Sequence, residues 1–345
     1  MNISIQNQNK SIFYWLISGC LLIFLMVIIG GITRLTNSGL SMVEWKLIMG
    51  IIPPLNEAQW LEIFDKYKQF PEYQIVNTHF TLDEFKSIFF WEYLHRLLGR
   101  IIGLVFIIPF IYFLLKKRLS KKMIIQCVIL LGMGALQGFF GWWMVESGLN
   151  KDPDVSHFRL AIHLVTAFLT FAYTFWVALG LVENITPKHT YFPSLSKSMN
   201  VLLIILIIQI VYGAFVAGLN AGFIMNTWPK MENQWINDAV FAISPVWKNF
   251  TEGLAGVQFI HRYLAIIVVG LVVFIWFQAA KNELTNIQLL SLKIVLTIVF
   301  MQFLLGVFTL VYAVPVWLGV VHQIGAFLLL AATVFGMFVF RRQSI

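Results

Sequence analysis

Residues 89–115 read FFWEYLHRLLGRIIGLVFIIPFIYFLL, and residues 257–280 read VQFIHRYLAIIVVGLVVFIWFQAA. Each stretch exceeds the roughly 20 apolar residues that cross a bilayer as an α-helix. Each also carries a histidine near its start, His95 in the first and His261 in the second. A histidine inside a membrane-spanning helix is costly, so it marks a functional site by default. The two stretches therefore indicate a membrane protein with chemistry inside the bilayer.

The rest of the chain has the same character, because 59% of its 345 residues are hydrophobic and 12% are charged. Soluble domains do not have this composition. Apolar runs long enough to span a bilayer occur eight times, which predicts an all-α integral membrane fold with eight transmembrane helices. The predicted spans are residues 13–33, 89–115, 123–145, 158–182, 199–219, 257–280, 287–312 and 316–340.

Basic residues cluster in the short connections that follow the second and sixth spans, and at the end of the chain. Under the positive-inside rule, this pattern places the even-numbered connections and both termini in the cytoplasm. The net charge of +8 forms no basic groove interleaved with aromatic residues, so no nucleic-acid partner is expected. The basic residues are Lys116, Lys117, Arg118, Lys121, Lys122, Lys281, Lys293, Arg341 and Arg342.

The chain repeats one four-helix unit, which predicts two tandem four-helix bundles. The N-terminal half spans residues 1–190 and the C-terminal half spans residues 191–345. Because each unit has an even number of helices, the halves share one orientation and are related by a pseudo-two-fold axis along the membrane normal. The further matching segments are residues 30–45 with 213–228, 136–140 with 304–308, and 159–169 with 318–328.

The histidines in apolar segments pair within each half, His95 with His163 and His261 with His322. Each lies on an even-numbered span near its outer end, so all four occupy a similar depth. Two imidazoles that face each other suit a porphyrin iron, which takes one axial nitrogen from each side. Interhelical hydrogen bonding is the alternative, but four matched positions favour two bis-histidine sites. The remaining histidines, expected in solvated loops, are His79, His157 and His189.

The two halves differ three residues before the first histidine of each pair, where Glu92 in one half corresponds to Gln258 in the other. Only the carboxylate can exchange a proton near neutral pH. Glu92 is therefore the candidate catalytic residue, and the C-terminal half is predicted to be a plain cofactor site. The alternative for Glu92 is an i,i+4 ion pair with Arg96.

Residues around the histidines allow further interpretations. Glycines at positions 99, 103 and 325 leave room for a flat ligand or merely allow close helix packing. Residues 56–70 (NEAQWLEIFDKYKQF) in the longest outer loop predict an amphipathic helix that covers the N-terminal site or anchors at the interface. The arginines that could bind porphyrin propionates or snorkel to the interface are Arg34, Arg96, Arg159 and Arg262.

At these motifs the chain resembles the haem A synthase family, in its proteobacterial and mitochondrial branch. The other branch carries cysteine pairs in its outer loops, whereas Cys20 and Cys127 lie inside predicted helices, where they pack as small apolar residues. The stretches that carry the resemblance are GGITRLTNSGLSMVEWKLIMGIIPP (30–54), LDEFKSIFFWEYLHRLLGR (82–100), LQGFFGWWMVESGL (136–149), VSHFRLAIHL (155–164), NAGFIMNTWP (220–229), VQFIHRYLA (257–265) and VPVWLGVVHQIGAFLLL (314–330).

The resemblance implies that His95 and His163 hold the substrate haem O, that Glu92 belongs to its active site, and that His261 and His322 ligate a haem b cofactor. The enzyme would oxidise a methyl group of haem O to a formyl group through an alcohol and a geminal diol. The resemblance also implies the bacterial inner membrane as location and an electron donor protein as partner. Docking of haem O synthase and a homo-oligomer are left open.

Two rival functions fit parts of the same pattern. A di-haem b membrane cytochrome that only transfers electrons predicts two tightly held haems and no modified porphyrin. A transporter built from parallel repeats needs neither level histidines nor haem. Glu92, which has no carboxylate counterpart in the second half, favours the synthase over the cytochrome.

Overall fold

The computed structural model describes residues 4–5, 9–44, 51–150, 153–183 and 191–341. In these ranges the chain is almost entirely helical, and eight helices are long and apolar enough to cross a membrane. This confirms the predicted all-α, multi-pass membrane fold. The helices are α1 (Lys10–Leu35), α2 (Glu57–Tyr67), α3 (Leu82–Leu115), α4 (Lys121–Gly148), α5 (His157–Leu179), α6 (Pro193–Gly218), α7 (Leu254–Ala279), α8 (Asn286–Val311) and α9 (Val316–Phe340), of which α2 alone is not a candidate span.

Short elements accompany the helices. Strands β1 (Ser4–Ile5) and β2 (Val182–Glu183) pair antiparallel. A π-helical turn covers Glu72–Val76 before α3, and three 3₁₀ turns lie in the loop between α6 and α7: Ala221–Phe223, Asp238–Phe241 and Val246–Phe250.

Helix α3 begins at Leu82, seven residues before the predicted span. Its start is a capping box in which Thr81 Oγ1 accepts from the Glu84 main-chain nitrogen and Glu84 caps the Thr81 nitrogen in return. Such a box satisfies main-chain donors at a helix start and stabilises the first turn even where that turn is polar. The hydropathy run therefore marked the apolar part of α3 and missed its polar first turns.

The amphipathic helix predicted within residues 56–70 is confirmed as α2, which begins after its N-cap Asn56. Its side chains Phe64 and Tyr67 are buried against the first turns of α3, where Phe64 stacks on Phe85 at a centroid distance of 5.0 Å. The apolar side of α2 thus packs on protein at the start of α3.

Two compact units divide the described chain. One, here the N-terminal unit, comprises Leu22–Ala167, and the other, here the C-terminal unit, comprises Met1–Leu21 together with Phe168–Ile345. His95 and His163 lie in the N-terminal unit, whereas His261 and His322 lie in the C-terminal unit. The boundary between residues 190 and 191 follows the sequence repeat and stays a prediction.

The repeat is visible in local backbone geometry. The turn after α1 and the turn after α6 each contain an asparagine in the left-handed region, Asn37 with φ 48° and Asn220 with φ 56°. Asparagine adopts this conformation more readily than other residues with a side chain. Equivalent positions of the two halves thus share an unusual backbone conformation. Two residues named from the sequence, Trp45 (matched to Trp228) and His189, lie outside the described residues.

Cys20 and Cys127 are free and buried inside helices. This confirms the expectation that they pack as small apolar residues.

Candidate functional site

The two histidines of the C-terminal unit face each other. The ring centroids of His261 on α7 and His322 on α9 are 6.4 Å apart, and the rings are nearly perpendicular at 87°. Two imidazoles that bind one metal ion from opposite sides, with metal–nitrogen bonds of about 2.0 Å, have ring centres roughly 6 Å apart. The spacing of this pair therefore fits a single iron between the rings.

The two histidines of the N-terminal unit also form a pair. His95 on α3 and His163 on α5 are close enough for their side chains to interact electrostatically. Within the described residues, His95 Nδ1 is buried and has no hydrogen-bond partner. The structure thus brings the predicted histidines together in the two predicted pairs.

Each imidazole rests with its Cε1 edge against a glycine of the preceding transmembrane helix. A Cβ added to these glycines would lie 2.9 to 3.2 Å from the imidazole carbon, closer than almost all real Cβ contacts. Only glycine therefore allows the rings to stay where they are. The pairs are His95 with Gly30 at 3.1 Å, His163 with Gly141 at 3.2 Å, His261 with Gly213 at 3.2 Å, and His322 with Gly306 at 2.9 Å.

A glutamine lies one turn before three of these four glycines and contacts the same histidine. Gln209 Nε2 lies 3.2 Å from His261 Nδ1 and 3.0 Å from its carbonyl oxygen. Gln302 Nε2 donates to the His322 carbonyl oxygen at 2.9 Å. A partner at Nδ1, such as Gln209 beside His261, orients a metal-binding imidazole, whereas Gln302 holds the main chain of His322, whose Nδ1 has no hydrogen-bond partner within the described residues.

Gln137 contacts His163 in a similar way. In the amide orientation that satisfies its neighbours, Gln137 Nε2 lies 3.3 Å from His163 Nδ1 and 3.2 Å from the His163 carbonyl oxygen. The fourth position, before Gly30, is Met26, whose Cε lies 3.6 Å from where a Cβ would stand at Gly99. The motif Gln-x-x-x-Gly therefore supports every site histidine except His95.

This motif corrects the repeat alignment. The sequence comparison placed residues 136–140 on 304–308, which pairs Gly138 with Gly306. In the structure a Cβ at Gly138 would meet nothing within 4 Å, while Gly141 contacts His163 as Gly306 contacts His322. The alignment was therefore wrong by three residues, because apolar helix segments of similar composition match almost equally well in several registers.

Glu92 is buried, with 3% of its surface exposed, and is surrounded by donors. Its Oε2 accepts hydrogen bonds from Ser41 Oγ and from the Met42 main-chain nitrogen, both at 2.7 Å. Its Oε1 lies 2.5 Å from Arg96 Nη2. The ion pair with Arg96 is therefore present, and Glu92 also fastens the loop after α1 to α3.

In the second half, Gln258 and Arg262 occupy the positions equivalent to Glu92 and Arg96, so the carboxylate is replaced by a neutral amide. Gln258 Nε2 donates to the carbonyl oxygens of Ala221 and Ile224, at 2.9 and 2.6 Å, in the loop after α6. Arg262 donates to the Thr227 carbonyl oxygen. Both halves thus anchor the loop after their first helix, but the carboxylate occurs only in the N-terminal unit.

The other arginines singled out from the sequence contact protein groups. Arg34 Nη2 lies 3.7 Å from Asp154 Oδ1. Arg159 Nη1 donates to the Trp143 carbonyl oxygen at 2.6 Å, and its guanidinium lies 4.5 Å from the centre of the Trp143 ring. A propionate contact for either stays a prediction.

One buried acid in the loop between α1 and α3 was not anticipated. Glu72 is 5% exposed, and Tyr67 Oη donates to its Oε2 at 3.0 Å. The pKa of Glu72 is raised to about 8, mainly by burial; the hydrogen bond from Tyr67 and the charge of Arg34 lower it, while the charges of Glu92 and Asp154 act in the same direction as burial. Because the folded state keeps a proton that the unfolded state loses, this group lowers stability as the pH rises from about 4.5 to 8.

The other two histidines within the described residues lie outside these pairs. His79 is exposed before α3, as expected. His157 is half-buried as the first residue of α5, with its ring 4.1 Å from the Phe158 ring centre. The loop placement expected for His157 was thus wrong, because Ser156 and the residues before it already provide the helix start.

Comparison with known proteins agrees with this geometry. A model of the COX15-CtaA family, described as cytochrome oxidase assembly protein, matches residues 13–334. This chain belongs to the COX15-CtaA family. The match covers α2 to α8 completely, and all four paired histidines lie within it.

Curated relatives of this COX15-CtaA protein extend over nearly its whole length. The heme A synthase of Flavobacterium psychrophilum is 56% identical over 332 residues, which cover 95% of this chain and 97% of the relative. The heme A synthase of Flavobacterium johnsoniae is 54% identical, with 95% and 97% covered. That of Parvibaculum lavamentivorans is 42% identical, with 95% and 93% covered.

Proposed function

We infer that this chain is a haem A synthase, an oxidoreductase that converts a methyl group of haem O to a formyl group. The observation that carries the inference is the pair of bis-histidine sites of which only one has a buried carboxylate. The relatives that match the chain over nearly its full length are heme A synthases. An asymmetric pair of sites is what an enzyme needs when it binds one porphyrin as substrate and another as cofactor.

The N-terminal site is the substrate site. His95 and His163 hold the iron of haem O, and the glycines against their rings leave the two imidazoles free of steric conflict. Haem O carries an apolar farnesyl tail, so a site between membrane helices receives it from the lipid without passage through water. The predicted N-terminal and C-terminal halves then correspond to substrate and cofactor binding.

The reaction consists of two hydroxylations of the same carbon, followed by loss of water. With dioxygen as the oxidant, each hydroxylation would insert one oxygen atom into a C–H bond, and the other oxygen atom would be reduced to water with two electrons from the electron donor and two protons. The methyl group becomes an alcohol, then a geminal diol, and the diol releases water to give the formyl group. Loss of water requires a proton for the departing hydroxyl and removal of a proton from the remaining one. We assign this proton transfer to Glu92, whose Oε2 accepts hydrogen bonds from Ser41 Oγ and the Met42 main-chain nitrogen.

The C-terminal site holds haem b between His261 and His322. Bound there, haem b supplies one-electron transfer. The protein contributes the two imidazoles, the glycines that admit them and the glutamines Gln209 and Gln302 that hold the two histidines. An electron donor protein delivers the electrons, and a haem O synthase supplies the substrate.

The enzyme resides in the bacterial inner membrane with both termini in the cytoplasm. This placement rests on the basic residues between α3 and α4 and after α9. It puts the histidines toward the outer ends of their helices.

Identification of the bound porphyrins tests the proposal. The protein is purified from cells that make haem O, and its porphyrins are extracted, separated by chromatography and weighed. Haem b together with haem A or its hydroxylated precursor is the expected result. Haem b alone, in two equivalents, would instead identify a di-haem membrane cytochrome, and a colourless protein would favour a transporter.

The glycine contacts give a first mutational prediction. Gly306→Ala places a Cβ 2.9 Å from His322 Cε1, so the ring must move and haem b is expected to be lost about 10-fold faster. Gly270→Ala on α7 is the matched control, because a Cβ there meets nothing within 4 Å. The loss is followed spectroscopically after an excess of apomyoglobin is added. Equal rates for the two variants would contradict the contact's importance.

A further inference from the structure

Arg262 is a buried cation that lacks a counter-charge. Its side chain is 6% exposed, and within the described residues its Nε and Nη1 have no hydrogen-bond partner. One Nη donates to the Thr227 carbonyl oxygen, and the guanidinium lies 5.7 Å from the centre of the Trp228 ring. No ion pair joins Arg262 to a carboxylate of the described chain. A buried charge without a partner is strongly destabilising.

Arg96, the equivalent arginine of the N-terminal half, has the carboxylate partner that Arg262 lacks. Arg96 donates to the Glu44 carbonyl oxygen, which is the counterpart of the Thr227 carbonyl, and it pairs with Glu92. Gln258 occupies the place of Glu92 and cannot neutralise Arg262. The two arginines therefore share one main-chain anchor, whereas Arg96 also donates to the Met42 carbonyl oxygen at 2.7 Å and has an anion that Arg262 lacks.

We propose that Arg262 binds a carboxylate of the porphyrin held by His261 and His322. A haem propionate is such a carboxylate, and a guanidinium is suited to bind it through charge-assisted hydrogen bonds. His261 precedes Arg262 in α7, so the proposed iron ligand and the arginine lie within one turn of the same helix. The Arg262 guanidinium is directed to the loop after α6, at Thr227 and Trp228, and the propionate would extend from the porphyrin edge to this loop. This assignment rests on the proposed cofactor role of the C-terminal site. Arg96, neutralised by Glu92, leaves the substrate porphyrin without an equivalent bond.

Haem with esterified propionates tests this assignment. The protein is loaded with haem b or with its dimethyl ester, and transfer to excess apomyoglobin is followed. Wild-type protein is expected to release the ester about 10- to 100-fold faster than the free acid, as loss of a charged hydrogen bond implies. Arg262→Gln should release both forms at one fast rate, and Arg262→Lys should retain part of the preference.

Two results would overturn the assignment. One is equal release of acid and ester by the wild-type protein, which needs no variant to fold. The other is an Arg262→Gln variant that still prefers the acid. Neither result depends on haem A formation, so failure here is distinct from failure of the proposed synthase activity, which is judged from the extracted porphyrins.

A second difference concerns the histidine ligands themselves. Gln137, Gln209 and Gln302 hold His163, His261 and His322, whereas Met26 stands at the equivalent place beside His95. A thioether cannot donate a hydrogen bond to the His95 carbonyl or orient the ring through Nδ1. His95 Nδ1 has no hydrogen-bond partner within the described residues, and the same is true of His322 Nδ1. His95 differs from His322 in that no glutamine of the described chain holds its main-chain carbonyl.

We infer that His95 is the exchangeable ligand of the substrate site, on the proposed function that this site must take up haem O and release product. The cofactor site, with a glutamine on each histidine, retains its haem. Loss of an outer partner typically weakens metal binding 10- to 100-fold. Met26 is thus a positioning residue that keeps one side of the substrate iron loosely bound.

Met26→Gln tests this assignment, with Met26→Leu as a control that lacks an amide. In protein loaded with haem O and haem b, Met26→Gln is expected to slow transfer of haem O to apomyoglobin about 10-fold and to shift the low-spin resonance signal of that haem. Haem b, distinguished by chromatography, serves as the internal standard and should be unchanged. Gln209→Met is the reverse variant and should release haem b faster.

Unchanged haem O release in Met26→Gln, or equal slowing in Met26→Leu, would overturn the assignment. If Met26→Gln does not fold, Gln209→Met provides the test. Unchanged haem b release in Gln209→Met would also overturn the assignment. A protein that binds only haem b in both sites would refute the synthase itself, and chromatography shows this before any rate is measured.

Discussion

Glu92→Gln is expected to retain both porphyrins and to lose haem A formation by at least about 100-fold, the usual contribution of a general acid or base. The amide preserves the shape of the side chain but cannot accept a proton. Gln258 shows that α7 accommodates glutamine at the equivalent position, where it still fastens the loop after α6. Turnover is measured as haem A formed from haem O by purified protein, alongside the porphyrin content.

Ser41→Ala is the matched control for the structural role of Glu92. It removes one of the hydrogen bonds that fasten the loop to Glu92, yet it leaves the carboxylate and its ion pair with Arg96 in place. If Glu92 transfers protons, Ser41→Ala should cost far less turnover than Glu92→Gln. Equal losses in both variants would mean that Glu92 acts only as an anchor for the loop.

Alanine at either histidine of the C-terminal pair is expected to remove most of the haem b while leaving the substrate porphyrin bound. His261→Ala would remove one of the two imidazoles proposed to hold haem b, and it vacates the place of the ring beside Gly213. Added imidazole is expected to restore much of the haem b spectrum. Haem A formation should fall with the haem b content if the proposed cofactor is the route for electrons.

His79→Ala provides the control, because His79 is an exposed loop residue of the other unit. It should leave both porphyrins and turnover unchanged. A His261→Ala protein with an unaltered haem b spectrum would remove His261 from the ligand set, whatever its turnover.

Much of this arrangement could be predicted from the sequence because a bilayer simplifies the problem. Spans follow from apolar length, and the four histidines stand out because polar groups are costly there. The start of α3 could not be read from hydropathy, since a capping box and not an apolar residue sets it. The glutamine contacts were not predicted, although the spacing Gln-x-x-x-Gly is visible at Gln209 and Gln302. Glutamine is uncharged, so a selection of charged and ionisable residues in membrane helices does not include it.

Other features required coordinates. The sequence allowed two roles for Glu92, catalysis or an ion pair with Arg96. The structure shows that the ion pair exists, together with hydrogen bonds from Ser41 and Met42. A single charged residue in a sequence does not reveal how many donors surround it. The uncompensated charge of Arg262 likewise becomes visible only when its neighbours are known, although the exchange of Glu92 for Gln258 already pointed to it.

Two similar histidine pairs are proposed to bind different porphyrins, and the porphyrins that two double variants retain distinguish the pairs. Porphyrins are extracted from the wild-type protein, from His95→Ala/His163→Ala and from His261→Ala/His322→Ala, all produced in cells that make haem O. We predict that the first double variant lacks haem O and its oxidised products but keeps haem b, and that the second lacks haem b but keeps haem O. Loss of the same porphyrin from both double variants would contradict the account.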